Sequence, residues 1–386
     1  MSWHGRNSTA IPSSCLTTER DGAIEDKKPP SNGPQKPGRT TIPTAPSWKT
    51  ADKFQVTEVA GKGLGLVALV NIPPGTRILS ERPLFLQQNM ADDELVPAIC
   101  QRVRKLSREN QREFLSLANT LPHSHPLVGT FRSNMLECRP LSGLFGVYAT
   151  AGRINHSCRP NVHHSWDDEK MRQVFCVLQP IRAGDEITIT YGRGGITSDQ
   201  RVYLSGSRGF ACRCERCLLP PAELAETDDR RILIQRLDDS LGDLYCSRFT
   251  PHESLRLVRT LLREFAVEYG GYAAVYAARL YYNAFQVTIA HGDILRATAF
   301  LQLSHEKTVL CHGYDHPNSA KLRTLAQVPQ MSVGFLLCSR RWLRVGEKPP
   351  ANMDSPEYTN WLFRRQPAYS VAELAELYPR DCGVVL

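Results

Sequence analysis

The chain reads Arg153-Ile154-Asn155-His156-Ser157-Cys158-Arg159-Pro160-Asn161 near its middle, and this is the first of three motifs on which its architecture depends. The second is Gly184-Asp185-Glu186-Ile187-Thr188-Ile189-Thr190-Tyr191, an alternating strand that ends in a tyrosine. The third is Cys212-Arg213-Cys214-Glu215-Arg216-Cys217, a compact group of thiols. An Asn-His pair in a tight loop, a strand tyrosine and a thiol cluster therefore lie within one short span.

The thiol cluster indicates a metal site. Cys212, Cys214 and Cys217 have the C-x-C-x-x-C spacing, which wraps three thiols around one point. Zn²⁺ prefers four ligands in a tetrahedron and favours sulfur, so three thiols are one ligand short. Cys158, in a loop rich in turn-forming residues, is a candidate, but spacing leaves the fourth ligand open among the nine other cysteines. Three reduced surface cysteines without metal are the alternative.

A glycine-rich loop precedes these motifs, with the sequence Gly61-Lys62-Gly63-Leu64-Gly65. Glycine lets backbone amides approach a ligand closely, and Lys62 offers a cation to a carboxylate. Taken alone, this spacing is equally typical of a plain hairpin turn.

The four motifs, in this order, resemble the core of a SET-domain protein. The resemblance is strongest to the SET-and-MYND subclass and its fungal relatives without the MYND finger. It carries specific motifs over residues 54–218 and continues weakly into the C-terminal part. Where the subclass inserts its zinc finger, this chain offers only Cys100 and Cys138 between residues 90 and 148, so the MYND finger is absent.

The resemblance implies methyl transfer from S-adenosylmethionine to lysine side chains of proteins, histone or non-histone. It implies a SET fold in which the chain end threads under a loop as a pseudoknot around the cofactor. It implies a structural zinc ion, with Cys158 beside the three clustered cysteines, that pins the segment after the SET domain. The implied cofactor-binding residues are Lys62, Gly63, Leu64, Gly65, Asn155, His156, Tyr191 and Phe210.

Tyr191 is the candidate catalytic residue, because a largely protonated hydroxyl can orient the methyl group and the target nitrogen. A buried strand tyrosine is the alternative for Tyr191, and a loop histidine bonded to backbone is the alternative for His156. Phe210 matches an aromatic residue that walls the adenine and lysine channel in the resembled family.

Arg208 departs from the family pattern, which commonly has an aromatic residue, often tyrosine, two positions before the phenylalanine. A permanent cation near a lysine channel would repel an ammonium substrate. An outward-pointing Arg208 that contacts cofactor or an acidic substrate is the other arrangement.

The order of segments predicts an α+β protein. Residues 1–50, rich in Ser, Thr, Pro and Gly, are expected to be a disordered tail. Residues 51–210 are the expected SET domain, with strands at 54–60, 66–70, 76–81, 162–166, 174–178 and 187–191 and a helical insert at about 91–140. Residues 211–220 form the expected zinc-binding segment. Residues 221–386 have a helical period, with helices expected at 222–245, 253–269, 273–291 and 294–312 and a tetratricopeptide-like pairing of the last two.

Composition narrows the partners and the compartment. The net charge is +8, of which +3 lies in the first fifty residues, and no long basic block exists, so nucleic-acid binding is unlikely. Twelve cysteines in a chain of 386 residues favour metal over a disulfide scaffold, hence a reducing compartment, nucleus or cytoplasm. No apolar run is long enough to span a membrane. The partner that the resemblance implies is a protein substrate that carries the target lysine.

Two function classes compete on these grounds. The first is a protein-lysine methyltransferase that depends on S-adenosylmethionine. The second is a catalytically inactive SET scaffold that mediates protein–protein interaction, and Arg208 is the residue that favours it.

Overall fold

The computed structural model describes residues 53–139, 142–192, 197–242, 248–343 and 347–379. The expected disordered tail, residues 1–50, lies outside these ranges. The strands are β1 (Phe54–Val59), β2 (Gly63–Ala68), β3 (Arg77–Glu81), β4 (Phe85–Gln88), β5 (Leu136–Glu137), β6 (Leu144–Val147), β7 (Asn155–His156), β8 (Val162–Asp167), β9 (Arg172–Val177) and β10 (Glu186–Ile189).

The helices of the first half are α1 (Asp92–Arg104), α2 (Arg108–Leu115), α3 (Pro126–Asn134) and α4 (Thr197–Arg208). Those of the second half are α5 (Pro221–Leu241), α6 (Pro251–Tyr269), α7 (Ala274–Ala290), α8 (Ile294–His312), α9 (Pro317–Gln327), α10 (Pro356–Leu362) and α11 (Val371–Leu377). No described helix is long and apolar enough to cross a membrane.

The first sheet has the order β1-β2-β10-β7 and carries the motif residues. β1 and β2 form an antiparallel hairpin, and β10 pairs antiparallel with β2. β7 runs parallel to β10, with Asn155 opposite Thr188 and His156 opposite Ile189. This parallel pairing places the Asn-His motif beside the strand that leads to Tyr191.

Two further three-stranded sheets have the orders β3-β9-β8 and β4-β6-β5. The expected hairpin of β8 and β9 is confirmed, because their register runs from Val162 opposite Val177 to Asp167 opposite Arg172. The sheet of β4, β5 and β6 was not predicted. Its strands are only two to four residues long, too short to show an alternating pattern.

The insert is helical as expected and has its own core. Leu95, Ile99, Phe114 and Phe131 are buried against one another and against Phe85 of β4. Ser107 caps the start of helix α2, where its side chain accepts a hydrogen bond from the Asn110 backbone N–H. The insert is therefore attached to the SET-like sheets through β4 and β6.

The C-terminal half is helical as predicted, and its boundaries differ in two places. Helix α5 is described to Leu241, and the rest of the helix expected over 222–245 lies largely outside the described residues. Helix α4 was not expected. Helices α7 and α8 are joined by a tight turn, with Gly292 at φ +90° and the Asp293 side chain capping α8. The overall class is α+β, while the domain limits and the tetratricopeptide likeness remain predictions.

The helical half packs against the sheets along α8, which contacts β8 and β9. At its end, Asp315 forms ion pairs with Arg77 of β3 and with Lys170 of the β8–β9 turn. A cavity of about 1130 Å³ lies between the sheets and the helices. The position of α8 therefore sets the width of the cleft above Tyr191.

Candidate active site and metal centre

The glycine-rich loop is the turn between β1 and β2, and it meets the Asn-His motif. Gly61 and Gly63 have φ of +72° and +74°, the left-handed region that glycine adopts without strain. The Asn155 side-chain amide donates to the Leu64 carbonyl at 3.3 Å. A Cβ on Gly65 would lie 2.7 Å from that same amide nitrogen. The two loops predicted to share a cofactor therefore lie in contact.

Glu186 holds these two loops together, a role that the sequence analysis did not assign. Its Oε1 accepts from the Asn155 amide at 2.9 Å, and its Oε2 is 2.5 Å from Lys62 Nζ. A ligand carboxylate would therefore compete with the Glu186 carboxylate for Lys62. The second motif contains Glu186, but a carboxylate in a strand gives no sign of its partner.

The last residue of the first motif, Asn161, fixes the loop to β10. Its side chain donates to the Glu186 carbonyl and accepts from the Thr188 N–H, both at 2.8 Å. Buried Glu81 holds the other end of the loop, where it accepts from the N–H groups of Thr150 and Ala151. Burial raises the pKa of Glu81, and these N–H groups oppose the shift. Asn155 and His156 are thus presented on a firmly held loop.

His156 is buried and its ring has two partners in the protein. Nδ1 accepts from the Tyr191 N–H at 3.0 Å, and Nε2 lies 3.4 Å from Cys158 Sγ. Burial lowers the pKa of His156 to about 4, so the ring is neutral at pH 7. Because both nitrogens are engaged, the predicted cofactor role of His156 depends on its backbone.

Tyr191 and Phe210 form an aromatic corner over His156. The Tyr191 and Phe210 rings are 6.0 Å apart and nearly perpendicular, and Phe210 is 6.2 Å from the His156 ring. The Tyr191 hydroxyl donates to the Ile154 carbonyl at 2.6 Å. Burial raises the pKa of Tyr191 to about 12, partly opposed by Arg208. The hydroxyl therefore stays protonated at neutral pH and keeps acceptor capacity on its oxygen.

Arg208 points inward, not toward solvent. Its guanidinium lies 5.3 Å from the centre of the Tyr191 ring and donates to the Arg132 and Met135 carbonyls, each at 3.0 Å. The next residue, Gly209, has φ +71°, and a Cβ there would lie 2.0 Å from the Thr120 carbonyl oxygen. Helix α4 thus ends in a turn that only glycine fits, and this turn brings Phe210 over His156.

The predicted metal ligands are brought together by the structure. The Sγ atoms of Cys158, Cys212, Cys214 and Cys217 all lie within 4.8 Å of one another. Cys158 Sγ is 3.9 Å from Cys212 Sγ and 3.6 Å from Cys217 Sγ. Four thiolates at about 2.3 Å from one Zn²⁺ would be about 3.8 Å apart. The cluster fits a tetrahedral zinc ion.

The four thiols share their protons unequally. Hydrogen bonds among them lower the pKa of Cys214 and Cys217 and raise the pKa of Cys158. The pKa of Cys212 is raised as well, and a thiolate is the form that binds metal. Between these ligands, Arg216 points away from the cluster and is fully buried against Asp228 and Glu268 of helices α5 and α6. The metal segment is thereby joined to the helical half.

The cavity provides a route to Tyr191 that the sequence analysis did not predict. Its walls include His163 of β8, Tyr272 and Tyr276 near the start of α7, and His312 at the end of α8. These residues are far apart in sequence and match no local motif, so only the packing of α8 on β8 reveals them. The cavity extends from these residues to Tyr191 and Arg208.

Comparisons with known proteins agree with the geometry. Residues 63–192 match the family described as the SET domain. The histone-lysine N-methyltransferase set5 of Schizosaccharomyces pombe is 28% identical over 281 residues, which are 72% of this chain and 84% of that protein. A SET and MYND domain-containing protein of Dictyostelium discoideum is 42% identical over 81 residues, 20% of this chain and 23% of that protein.

A third relative has a narrower match. The protein-lysine N-trimethyltransferase SMYD5 of Gallus gallus is 28% identical over 102 residues, 25% of this chain and 23% of that protein. Similarity to the fission-yeast protein thus extends over most of both chains, whereas the other two matches are confined to a part of each chain.

Proposed function

Because this chain carries a SET domain over residues 63–192, we propose that it transfers methyl groups from S-adenosylmethionine to lysine side chains of proteins. One observation carries the proposal. The glycine loop and the Asn155 motif meet beside Tyr191 and Phe210, and Tyr191 also lines the cavity of about 1130 Å³ between the sheets and the helices. The similarity to proteins named lysine methyltransferases supports the same reaction.

The residues present suit this cofactor. Gly63 is exposed with open space around it, Gly65 lets the loop pack directly against the Asn155 amide, and Phe210 offers a flat apolar wall. Lys62 supplies a cation at the mouth of the loop. When bound, S-adenosylmethionine supplies a methyl group on a positively charged sulfur.

Tyr191 is proposed to orient the acceptor amine. Its proton is directed to the Ile154 carbonyl, so the hydroxyl oxygen can accept a hydrogen bond from the amine. Displacement requires a neutral amine, against an ordinary lysine pKa of about 10.4. A narrow, aromatic approach disfavours the ammonium form because it removes water from the charge. Alignment of donor and acceptor then supplies much of the rate.

The substrate is proposed to be a protein, histone or non-histone. The fission-yeast relative is named for histone lysine and the chicken relative for protein lysine. A nuclear or cytoplasmic location is proposed from the cysteine content, which favours a reducing compartment. The zinc ion is proposed to be structural, since four thiols complete its tetrahedron and leave no open position for a substrate.

Replacement of Tyr191 by Phe tests the reaction. Wild-type protein incubated with labelled S-adenosylmethionine and a mixed protein extract should transfer label to discrete proteins. Y191F should lower the initial rate by about 100-fold, the typical effect of losing one aligned hydrogen-bonding group. Calorimetry should show similar cofactor affinity for both proteins.

Other results of that experiment would decide against the proposal. If wild type and Y191F both bind cofactor and neither transfers label, the protein is a SET scaffold. Equal transfer by both would remove Tyr191 from the reaction.

Replacement of Cys158 by Ser tests the metal centre. Purified wild type should contain one zinc ion per chain, and C158S should lose zinc to a chelator at least about 100-fold more readily, because loss of a ligand should exceed the 10–100-fold effect of an outer partner. C100S, which changes a half-buried thiol outside the cluster, is the matched control. Equal retention by C158S and C100S would remove Cys158 from the ligand set.

A further inference from the structure

Arg208 is a buried cation without a paired carboxylate among the described residues. Its side chain is 4% exposed, and its guanidinium donates only to backbone carbonyls at the end of α3. Its Nε is buried without a hydrogen-bond partner in the described protein. By contrast, buried Arg216, Arg231 and Arg296 each pair with a carboxylate. Burial of a charge without a counter-charge lowers the stability of the fold. An unpaired cation at this position is therefore expected to have a functional role.

The Arg208 guanidinium lies between the end of helix α3 and the Tyr191 ring. The α3 carbonyls fix the guanidinium on one side, and the Tyr191 ring lies on the other at 5.3 Å. Its charge lowers the pKa of His156 on β7 and of His164 on β8, although burial is the larger cause for both and Cys214 opposes the shift of His156 more strongly than Arg208 favours it. The titratable and charged groups around the corner are Tyr191 after β10, His156, His164, Tyr203 and Asp199 on α4, Arg132 on α3, the clustered thiols of Cys158, Cys212, Cys214 and Cys217 beside His156, and Lys62 with its partner Glu186.

We propose that Arg208 is a positioning residue whose fixed charge keeps the acceptor lysine in its neutral, nucleophilic form. The proposal rests on the proposed methyl transfer and adds a specific cause for deprotonation. A cation at about 6–8 Å in surroundings of effective dielectric constant about 20 lowers the pKa of an amine by about 1 to 2. The repulsion that seemed, from sequence, to argue against a lysine substrate thus favours the reactive form, as a neighbouring cation does for other amine nucleophiles.

The bonds made and broken in the transfer can all be assigned to the lysine, water and S-adenosylmethionine. The ammonium proton passes to water in the cleft before transfer. The lone pair of the neutral nitrogen then forms a bond to the methyl carbon, while the carbon–sulfur bond breaks and its electron pair remains on sulfur. Arg208 neither gives nor takes a proton. It changes only the fraction of amine that is able to react at a given pH.

The test compares charge-removing and charge-keeping variants through a pH profile. We would measure kcat for labelled methyl transfer between pH 6 and 10, at saturating S-adenosylmethionine and a saturating concentration of an acceptor protein labelled in the extract assay, because the pH profile of kcat reports groups in the enzyme–substrate complex. The variants are R208Q, R208K and R208Y, the last restoring the residue that the resembled family commonly has. Circular dichroism and cofactor calorimetry establish that each variant folds, and R208Y serves if R208Q does not.

We expect the acid side of the pH–activity curve to move to higher pH when the charge of Arg208 is removed. The neutral variants should reach half-maximal activity at a pH about one unit higher than wild type, whereas R208K should keep the wild-type limb with a lower plateau. If a neutral variant keeps the wild-type pH of half-maximal activity, the role of Arg208 is overturned, even if the maximal activity falls. The methyl-transfer proposal would stand in that case. An R208K limb displaced as far as that of R208Q would also overturn it. Wild type that binds cofactor but labels no protein of the mixed extract at any pH overturns the methyl-transfer proposal, and this inference with it.

Discussion

At the residue scale, Gly65 has no room for a side chain. A Cβ there would lie 2.6 Å from Val59 Cγ2 and 2.7 Å from Asn155 Nδ2. We expect Gly65→Ala to displace the Asn155 amide and weaken S-adenosylmethionine binding at least tenfold, about 1.4 kcal/mol. Calorimetry measures the change.

The control for this prediction is Gly334→Ala, which places its Cβ at ordinary contact distances of 3.6 and 3.7 Å. Its cofactor affinity should equal that of wild type. Unchanged affinity in G65A would mean that the glycine loop does not form the cofactor site.

Some site residues could be predicted from sequence because their chemistry is local. Asn155, His156 and the three clustered cysteines lie in short motifs whose spacing alone restricts their geometry. The direction of Arg208 could not be predicted, because the carbonyls that hold it lie about seventy residues earlier, at the end of α3. The part played by Glu186 was missed for the same reason, since Lys62 and Asn155 reach it from two separate loops.

At the element scale, the metal segment and the helical half share one buried carboxylate. Glu268 of α6 is fully buried and accepts from Arg231 Nε at 2.6 Å. It also lies 3.2 Å from Arg216 Nε and 3.4 Å from Arg230 Nη1. Glu268 thus provides a counter-charge for Arg230 and Arg231 of α5 and for Arg216, which lies between Cys214 and Cys217.

We predict that Glu268→Gln lowers the free energy of unfolding by about 3–5 kcal/mol, because it leaves buried guanidinium groups without their counter-charge. Urea unfolding followed by circular dichroism measures the loss. Glu306→Gln is the matched control, since exposed Glu306 pairs only with its neighbour Lys307, and such pairs contribute under about 1 kcal/mol. A similar small change in both variants would contradict the buried network.

At the scale of the whole molecule, the junction of sheets and helices is lined with neutral histidines. His163 on β8 is 5.3 Å from His312, whose ring is 4.7 Å from that of His316. Burial lowers the pKa of His312 to about 3 and that of His163 well below its usual value. Each ring is therefore neutral in the folded protein over a range where the unfolded chain binds a proton.

The sign follows from this difference. The contribution of these histidines to the free energy of unfolding is fully present above about pH 6.5. It is lost as the pH falls from about 6.5 toward the folded-state pKa, since the unfolded state binds more protons in that range. Each such histidine contributes a slope of about 1.4 kcal/mol per pH unit. We expect His312→Gln to reduce the slope by that amount between about pH 6 and 4, measured by urea unfolding at several pH values. Parallel curves for wild type and H312Q would show that His312 is protonated in the folded state.

The fold class was predictable at this scale, whereas the cleft was not. Alternating strands and four long amphipathic segments indicated an α+β protein without any long-range information. The cleft depends on how α8 lies on β8, and the side chains that decide it, such as Asp315 with Arg77 and Lys170, are exposed charges with no periodic pattern. Helix α4 was missed because its sequence is mostly polar and its apolar residues are few.

Arg216, set among the metal ligands, has a consequence for how the chain can be divided. Its guanidinium finds its carboxylates, Asp228 and Glu268, only in helices α5 and α6. A shortened protein that stops at residue 220 would keep every cysteine of the cluster and yet expose this arginine to water with no acid beside it. Residues up to 220 therefore lack the ion pairs that hold the cysteine segment against helices α5 and α6, and these helices support the geometry of the cysteine cluster.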